Sequence, residues 1–379
     1  MFSLKPEIYY GEKSLQNLNK LNYKKVCIAT DKLMIDLGHV KTLTDILESK
    51  GVQYHIFDDI QSDPSLDLVN KGLLHIIKTK PDGLIALGGG SVIDAAKAII
   101  YFCINMKKKI VEAEYIHKPD FIAIPTTAGT GSEVTGYSII TDKKREIKLP
   151  LVDKLMLPDI AILDPELIAS VPAGVTAATG MDVLTHSIES YVSKKQNPFS
   201  DCFSIESIRL VYDNLINSYK DLSNLKFREN MLIASCMGGI AFNNSGLGIN
   251  HSIAHILGAR YHIPHGFANA VLLPYTIKYN AEKSSKAMKR YSNIALMLGY
   301  SYGKELDNAA ALISYIIMAN KEMDIPLSIK SLVGDNFMEE IDDMAQIAYH
   351  DKCTLSNPAS VTKEDIKNIM VEMYNGTFE

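Results

Sequence analysis

The fold of this chain is decided by the stretch Asp82-Gly83-Leu84-Ile85-Ala86-Leu87-Gly88-Gly89-Gly90-Ser91-Val92-Ile93-Asp94-Ala95-Ala96-Lys97. It predicts a buried strand, a glycine turn and a helix in succession. Gly88, Gly89 and Gly90 let the backbone approach a ligand closely, and the helix that begins near Ser91 turns its first amide groups and its positive dipole end toward the same place. This arrangement favours a phosphate, although the glycine spacing is not that of the usual dinucleotide motif. A turn that merely closes a β-α unit is an equally good interpretation of the stretch alone.

A second loop of small residues follows the apolar strand at 121–124 and reads Pro125-Thr126-Thr127-Ala128-Gly129-Thr130-Gly131-Ser132-Glu133-Val134-Thr135. Its backbone amides and the hydroxyls of Thr126, Thr127 and Thr130 suit contact with a nucleotide. A solvated Ser/Thr/Gly connector would have a similar composition. The loop favours the nucleotide interpretation of the glycine turn that precedes it.

Asp31 ends the predicted strand at 25–30. A carboxylate at this point would accept hydrogen bonds from an adenosine ribose and would repel an added 2′-phosphate, so Asp31 predicts NAD as the cofactor. The alternative is that Asp31 caps the helix that starts at Lys32.

The order of strands and helices predicts two domains. Apolar strands at 25–30, 52–57, 83–87 and 121–124 alternate with helices near 33–49, 65–79 and 91–104, which is the rhythm of a parallel sheet. Strand signals fade beyond about residue 165, and helical periodicity follows at 174–192, 199–220, 226–242 and 249–258. We therefore expect a Rossmann-like α/β dinucleotide-binding domain over 1–170 and an all-helical metal-binding domain over 171–379, with a cleft between them.

An Asp and three His in the second half have spacing that suits one metal ion. Asp182 and His186 lie four residues apart on one predicted helix face, and His251 and His265 follow in apolar, glycine-containing segments. One histidine alone is more often a hydrogen-bonded core residue, but the combination predicts a catalytic metal site. One carboxylate with three imidazoles suits Fe²⁺ or Zn²⁺, and the ligand types do not separate the two metals.

Composition and charge exclude several classes of protein. The formal net charge is −5 and 22% of the residues are charged, so nothing in the charge balance predicts a nucleic-acid partner. The five Cys are odd in number and have no paired-ligand spacing, which indicates a reduced intracellular setting. We find neither a signal peptide nor an uninterrupted apolar span, so we expect a cytoplasmic protein without a membrane partner.

At this point the chain resembles a known family, the iron-containing (group III) alcohol dehydrogenases, which share a fold with dehydroquinate synthase. The resemblance covers essentially the whole chain and rests on the two loops, on 180–191 and on 251–266. It implies metal ligation by Asp182, His186, His251 and His265, with His255 near the nicotinamide and His262 only structural. It further implies that Asp94, Lys148, Leu167 and Val171 approach the cofactor.

Within this family the segments at 148–151, 158–167 and 242–248 are similar to the 1-propanol dehydrogenases of propanediol-utilisation microcompartments. This similarity implies reduction of propanal, or oxidation of 1-propanol, by NAD(H) and Fe²⁺, with Zn²⁺ as the other metal. Tyr137, Phe242 and Cys353 would then line the substrate side. A homodimer and association with a microcompartment are further expectations. The alternatives are a zinc-dependent polyol dehydrogenase or dehydroquinate synthase-like enzyme, a metallo-phosphohydrolase, and a non-catalytic metal-stabilised assembly.

Overall fold

The computed structural model describes residues 2–109, 118–142, 147–334 and 336–378, with the side chains at 106–109, 147 and 148 left undescribed. It divides into two compact units. The N-terminal unit is Ser3–Ser170, and the helical unit is Val171–Glu379 together with Met1–Phe2.

The N-terminal unit is built on a six-stranded sheet in which all the paired strands are parallel. In spatial order its strands are β1 (Glu7–Tyr10), β8 (Ile160–Leu163), β5 (Asp120–Pro125), β4 (Gly83–Gly88), β2 (Lys25–Ala29) and β3 (Gln53–Phe57). The central strand β4 is buried along its whole length, as its run of apolar residues requires in a sheet covered on both faces. A separate antiparallel pair is formed by β6 (Tyr137–Asp142) and β7 (Ile147–Val152).

Helices α1 (Lys32–Asp36), α2 (His39–Ser49), α3 (Leu66–Thr79) and α4 (Gly90–Lys109) connect these strands. Two apolar clusters cover the two faces of the sheet, one containing Ile99 and Phe121 and the other containing Leu43 and Ile162. The helix predicted at 33–49 is in fact two helices, because Gly38 lies between them with a φ of +79° that interrupts a right-handed helix.

Two strands of the sheet were not predicted. The strand β1 is a four-residue edge strand whose end residues Glu7 and Tyr10 are exposed, so its sequence shows no apolar run. The strand β8 is fully buried but only four residues long, and it lies just before residue 165, where the strand signals fade. The four predicted strands and the helices that follow them are present, with bounds shifted by one or two residues at most of their ends.

The described part of the helical unit contains no strand. Its helices are α5 (Ala173–Val192), α6 (Pro198–Lys220), α7 (Leu225–Ser245), α8 (Ile249–Tyr261), α9 (His265–Lys283), α10 (Ser285–Met297), α11 (Glu305–Glu322), α12 (Phe337–His350) and α13 (Lys363–Asn375). Every residue of α5 from 180 to 192 is buried, which places this helix at the centre of the unit. Within the described residues no single helix has the length and apolarity to cross a membrane, and α7 and α8 meet that test only as a pair bent by 107°.

Candidate active site

Helix α5 carries the first two residues of the predicted metal site. Asp182 and His186 are one turn apart and buried, with 4.0 Å between Asp182 Oδ2 and His186 Nδ1. Unpaired ionic groups are rarely buried, since removing them from water is costly. Asp182 and His186, on adjacent turns of a central helix, therefore need further partners from neighbouring helices.

Those partners come from α8 and α9. His251 Nε2 and His265 Nε2 each lie 3.7 Å from Asp182 Oδ1. Helix α9 begins at His265, and Gly266 lets it approach α5, because a Cβ atom at Gly266 would lie 2.2 Å from the carbonyl oxygen of Ala178. The structure thus brings together all four residues that the sequence analysis selected, from three helices.

The four side chains form a suitable donor set for one divalent ion. Ligand atoms of Asp182, His186 and His251 all lie within 4.8 Å of one another, and the His251 and His265 rings are 5.3 Å apart at their centroids. Burial lowers the pKa of His251 well below its usual value, and the neighbouring histidines lower it further. A neutral imidazole is the form that binds a metal, so the chemistry of these donors fits Fe²⁺ or Zn²⁺.

Glu189 supports this cluster and was missed by the sequence analysis. Its Oε2 lies 2.6 Å from His251 Nδ1, and its Oε1 accepts a hydrogen bond of 2.8 Å from the backbone N–H of Asn250. Burial raises the pKa of Glu189, and the backbone N–H groups that donate to its carboxylate oppose that rise. A carboxylate behind a metal-binding histidine fixes the ring and its tautomer. The sequence spacing could have indicated Glu189, because it lies three residues after His186 on the same helix face.

His255 lies beside the four ligands, and its orientation is set by a second missed residue, Asp351. His255 Nδ1 is 2.9 Å from Asp351 Oδ2, and the His255 ring is parallel to the His265 ring at a centroid distance of 5.4 Å. Burial would raise the pKa of Asp351, but hydrogen bonds from His255 and from the backbone N–H of Cys353 outweigh it and bring the pKa to about 2. Asp351 is 96 residues away in sequence, so no local pattern could indicate it.

Two of the three predicted substrate residues lie at this cluster. The Phe242 ring stacks on His186 with a centroid distance of 4.5 Å, and a ligand atom of Cys353 lies within 4.8 Å of those of His255 and Asp351. Burial raises the pKa of Cys353 well above its usual value, so its thiol stays protonated. Tyr137, the third, belongs to β6 of the N-terminal unit, where 38% of the residue is exposed.

The two predicted nucleotide loops lie side by side in the N-terminal unit. The backbone N–H of Thr126 donates to the carbonyl of Gly88, and Thr30 Oγ1 donates to the carbonyl of Leu87 at 2.8 Å. A Cβ atom at Gly90 would lie 2.7 Å from Thr130 Cγ2, so glycine lets the two loops lie this close without displacing the Thr130 side chain. Strands β2 and β4 are neighbours in the sheet, but the chain continues from β2 to β3 on one side and from β4 to β5 on the other. Nucleotides bind at this kind of switch point.

Two family descriptions match the chain along its length. "Iron-containing alcohol dehydrogenase" matches residues 5–165, and "Fe-containing alcohol dehydrogenase family, C-terminal" matches residues 176–374. The chain belongs to the iron-containing alcohol dehydrogenase family. It is therefore an oxidoreductase, and the enzyme class predicted from the sequence is confirmed.

Relatives of this alcohol dehydrogenase share its full length. It is 39% identical to the NADPH-dependent butanol dehydrogenase of Clostridium saccharobutylicum, over 99% of this chain and 98% of the relative. It is 38% identical to the 1-propanol dehydrogenase of Citrobacter freundii, over 98% and 99% of the two chains. The solved structure of an iron-containing alcohol dehydrogenase from Thermococcus thioreducens has a TM-score of 0.90 at 33% identity, and the match covers 99% of this chain and 100% of that one. The predicted fold class is confirmed.

Asp94 of this dehydrogenase joins the two nucleotide loops through contacts within the protein. Its Oδ1 accepts a hydrogen bond of 2.7 Å from Ser132 Oγ, and its Oδ2 accepts one of 2.9 Å from the backbone N–H of Ile139. Lys97, a fully buried residue missed by the sequence analysis, donates to Ser132 Oγ, to Thr135 Oγ1 and to the carbonyl of Tyr137. Asp94 and Lys97 together attach the second loop to α4.

The remaining predicted cofactor residues are placed as follows. Asp31 caps α1, accepting a hydrogen bond of 3.0 Å from the backbone N–H of Met34, which is the alternative role considered for it. Leu167 packs in the core of the N-terminal unit, and the carbonyl of Val171 accepts a hydrogen bond from Arg228. The Lys148 side chain lies outside the described residues. His262 ends α8 in a left-handed conformation.

Proposed function

We propose that this alcohol dehydrogenase interconverts a short-chain aldehyde and its primary alcohol with NAD(H), with propanal and 1-propanol as the substrate pair. The observation that carries the proposal is the buried group of Asp182, His186 and His251, with the half-buried His265 beside it and an orientated His255 next to it. The similarity to a butanol and to a 1-propanol dehydrogenase supports a short unbranched substrate.

Asp182, His186, His251 and His265 would hold the metal, and we propose Fe²⁺, with Zn²⁺ as the alternative. A divalent ion in this position acts as a Lewis acid that polarises a carbonyl oxygen. The protein residues prepare for that chemistry: Glu189 orientates His251, and the Phe242 ring covers one face of His186 and shields it from water. The exposed fraction of the side chain is 40% at His265 but 1% at His251, so we place substrate entry on the His265 side.

His255 is the residue we propose for proton transfer to or from the substrate oxygen. Because Asp351 holds a proton on His255 Nδ1, the atom that gives or takes a proton is Nε2. Cys353 keeps its proton, so it lines the substrate side as a small apolar group and not as a nucleophile.

We propose that the glycine turn and the loop that contains Thr130 bind the pyrophosphate of the cofactor. Gly90 lets the Thr130 loop lie against the start of α4, where the helix dipole would stabilise a phosphate. The cap on α1 uses Oδ1 of Asp31, and within the described residues Oδ2 has no protein donor and can accept from a ribose hydroxyl. We therefore propose NAD over NADP. The relative from Clostridium saccharobutylicum is NADPH-dependent, so the choice depends on Asp31 and not on the similarity.

A substrate and cofactor series tests the proposal. We expect kcat/KM to be highest for propanal or butanal with NADH, and lower for ethanal, for glyceraldehyde and for every aldehyde with NADPH. Asp31→Gly should raise kcat/KM with NADPH and leave metal affinity unchanged. A preference for polyols, or for NADPH in the unaltered protein, would contradict it. The expected homodimer, cytoplasmic location and microcompartment association depend on the family resemblance and stay predictions.

A further inference from the structure

Three buried polar side chains, two on α9 and one on α8, form a hydrogen-bonded row behind the proposed metal ligands. Thr276 Oγ1 lies 2.7 Å from Asn250 Oδ1, and Asn250 Nδ2 lies 2.9 Å from Asn269 Oδ1. The row ends at the ligands, where Asn269 Nδ2 lies 2.7 Å from Asp182 Oδ1. All three residues of the row are at most 2% exposed, so water does not compete for these hydrogen bonds.

The chemistry of its neighbours fixes the direction of the Asn269 amide. A carboxylate only accepts hydrogen bonds, so the atom 2.7 Å from Asp182 has to be the amide nitrogen. The other end gives the same answer, because Asn250 Nδ2 also donates, at 3.3 Å, to the backbone carbonyl of Asn269. If Asn250 were reversed, two oxygens would face each other. The row therefore has one orientation, with N–H groups directed at the metal ligands.

The same amide nitrogen is close to two imidazoles. It lies 3.2 Å from His251 Nε2 and 3.1 Å from His265 Nε2. A histidine that binds a metal through Nε2 carries its proton on Nδ1, and His251 Nδ1 has Glu189 as its acceptor. The lone pair of His251 Nε2 then faces the Asn269 amide. Three ligand atoms thus lie within 3.2 Å of one amide nitrogen, whose two hydrogen atoms can be donated to two of them at a time.

We propose that Asn269, held in place by Asn250 and Thr276, is a positioning residue that arranges the Asp182 carboxylate and the two imidazoles before a divalent ion binds. Its hydrogen bond to Asp182 Oδ1 fixes the rotation of that carboxylate before the ion arrives. This inference extends the proposed function, since it assumes the same metal centre. Preorganisation of this kind raises affinity because the ligands need not be ordered on binding.

The test is metal binding by the full-length, metal-stripped protein, without any measurement of turnover. Co²⁺ and Zn²⁺ affinities are measured by competition with a chromophoric chelator, and the Co²⁺ absorption spectrum reports ligand geometry. Asn269→Ala removes the amide, and Asn250→Leu removes its support without touching a ligand. Asn320→Leu is the matched control, because Asn320 is a fully buried amide that donates to the Ala270 carbonyl of α9 and, within the described residues, has no hydrogen bond to a proposed metal ligand.

We expect both Asn269→Ala and Asn250→Leu to weaken Zn²⁺ binding about 10- to 100-fold, the usual cost of losing an outer-shell partner, and to change the Co²⁺ spectrum. Asn320→Leu should lower thermal stability only. Thr276→Val removes one hydroxyl and should give a smaller loss of affinity. It replaces the other two variants in the test if they do not fold. Unchanged affinity and spectrum in the folded variants would refute the role of Asn269 alone. The metal centre itself is refuted if the unaltered protein does not bind Co²⁺, or if His265→Ala binds Co²⁺ as tightly as the unaltered protein.

Discussion

Replacement of Glu189 by Gln should weaken metal binding although the two side chains have nearly the same size. Backbone N–H groups of Gly248, Asn250 and His251 donate to the Glu189 side chain, so the amide oxygen of Gln would have to remain on that side. The amide NH₂ would then face His251 Nδ1, which lies 2.6 Å from Glu189 Oε2 in the native protein. Because NH₂ can only donate, the His251 proton would move to Nε2.

That proton would occupy the atom which, in our account, binds the metal. The loss of an outer-shell partner costs about 10- to 100-fold in metal affinity, or about 1.4 to 2.7 kcal/mol, and the wrong tautomer places Glu189→Gln at the upper end. The assay is competition for Zn²⁺ between the stripped protein and a chelator of known affinity. Glu206→Gln is the control, since Glu206 pairs with Arg209 on an exposed face of the same unit. If Glu189→Gln bound Zn²⁺ as tightly as this control, our assignment of the His251 tautomer would be wrong.

Three further changes separate the parts of the account. Asp351→Asn should lower kcat for propanal about 10-fold or more without weakening Zn²⁺ binding, because Asp351 contacts His255 and the backbone of Cys353 but is not hydrogen-bonded to a proposed metal ligand within the described residues; equal losses in both measurements would contradict this. Gly90→Ala should weaken NADH binding, followed by fluorescence titration, because the new Cβ would lie 2.7 Å from Thr130, while Zn²⁺ affinity stays unchanged. Burial raises the pKa of Glu133 to about 7 from an unfolded value of 4.5, so its favourable contribution is complete below pH 4.5 and is lost as the pH rises through 7. Glu133→Gln should remove that loss, which amounts to at most about 3 kcal/mol in the free energy of unfolding measured in urea between pH 4.5 and 8. If Glu133→Gln had the same pH dependence as the unaltered protein, ionisation of a buried Glu133 would not be the cause of the loss.

Sequence patterns predicted those parts of the site that are local in the chain. Asp182 and His186 share a helix face, so their spacing alone places them together, and the glycine turn is readable because strand, turn and helix are consecutive. Asp351 and Asn269 are different. Each contacts its partner across helices that are distant in sequence, and its residue type is common at helix ends and in loops. Asn269 is revealed only by the packing of α5 against α9, and Asp351 only by the packing of the end of α12 against α8.

The fold shows the same limit. The buried strands with long apolar runs and the amphipathic helices were predictable, because one period of burial repeats over enough residues to be recognised. The strand β1 was not, because an edge strand needs few apolar residues, and Gly38 divides a helical pattern that otherwise looks continuous. Asp94 was expected to approach the cofactor. Both of its carboxylate oxygens accept hydrogen bonds from protein groups, and hydrophobic patterning does not indicate such contacts.

The central claim is that the four-residue cluster holds the metal on which aldehyde reduction depends. The most direct test is NADH oxidation with propanal by full-length protein purified without oxygen, stripped with a chelator and reloaded with Fe²⁺ or Zn²⁺, with His265→Ala and NADH binding measured in parallel. Our account predicts that Fe²⁺ restores activity to the unaltered protein but not to His265→Ala, while both bind NADH equally. Recovery of His265→Ala to the same activity, or no activity with either metal in a protein that binds NADH, would contradict it.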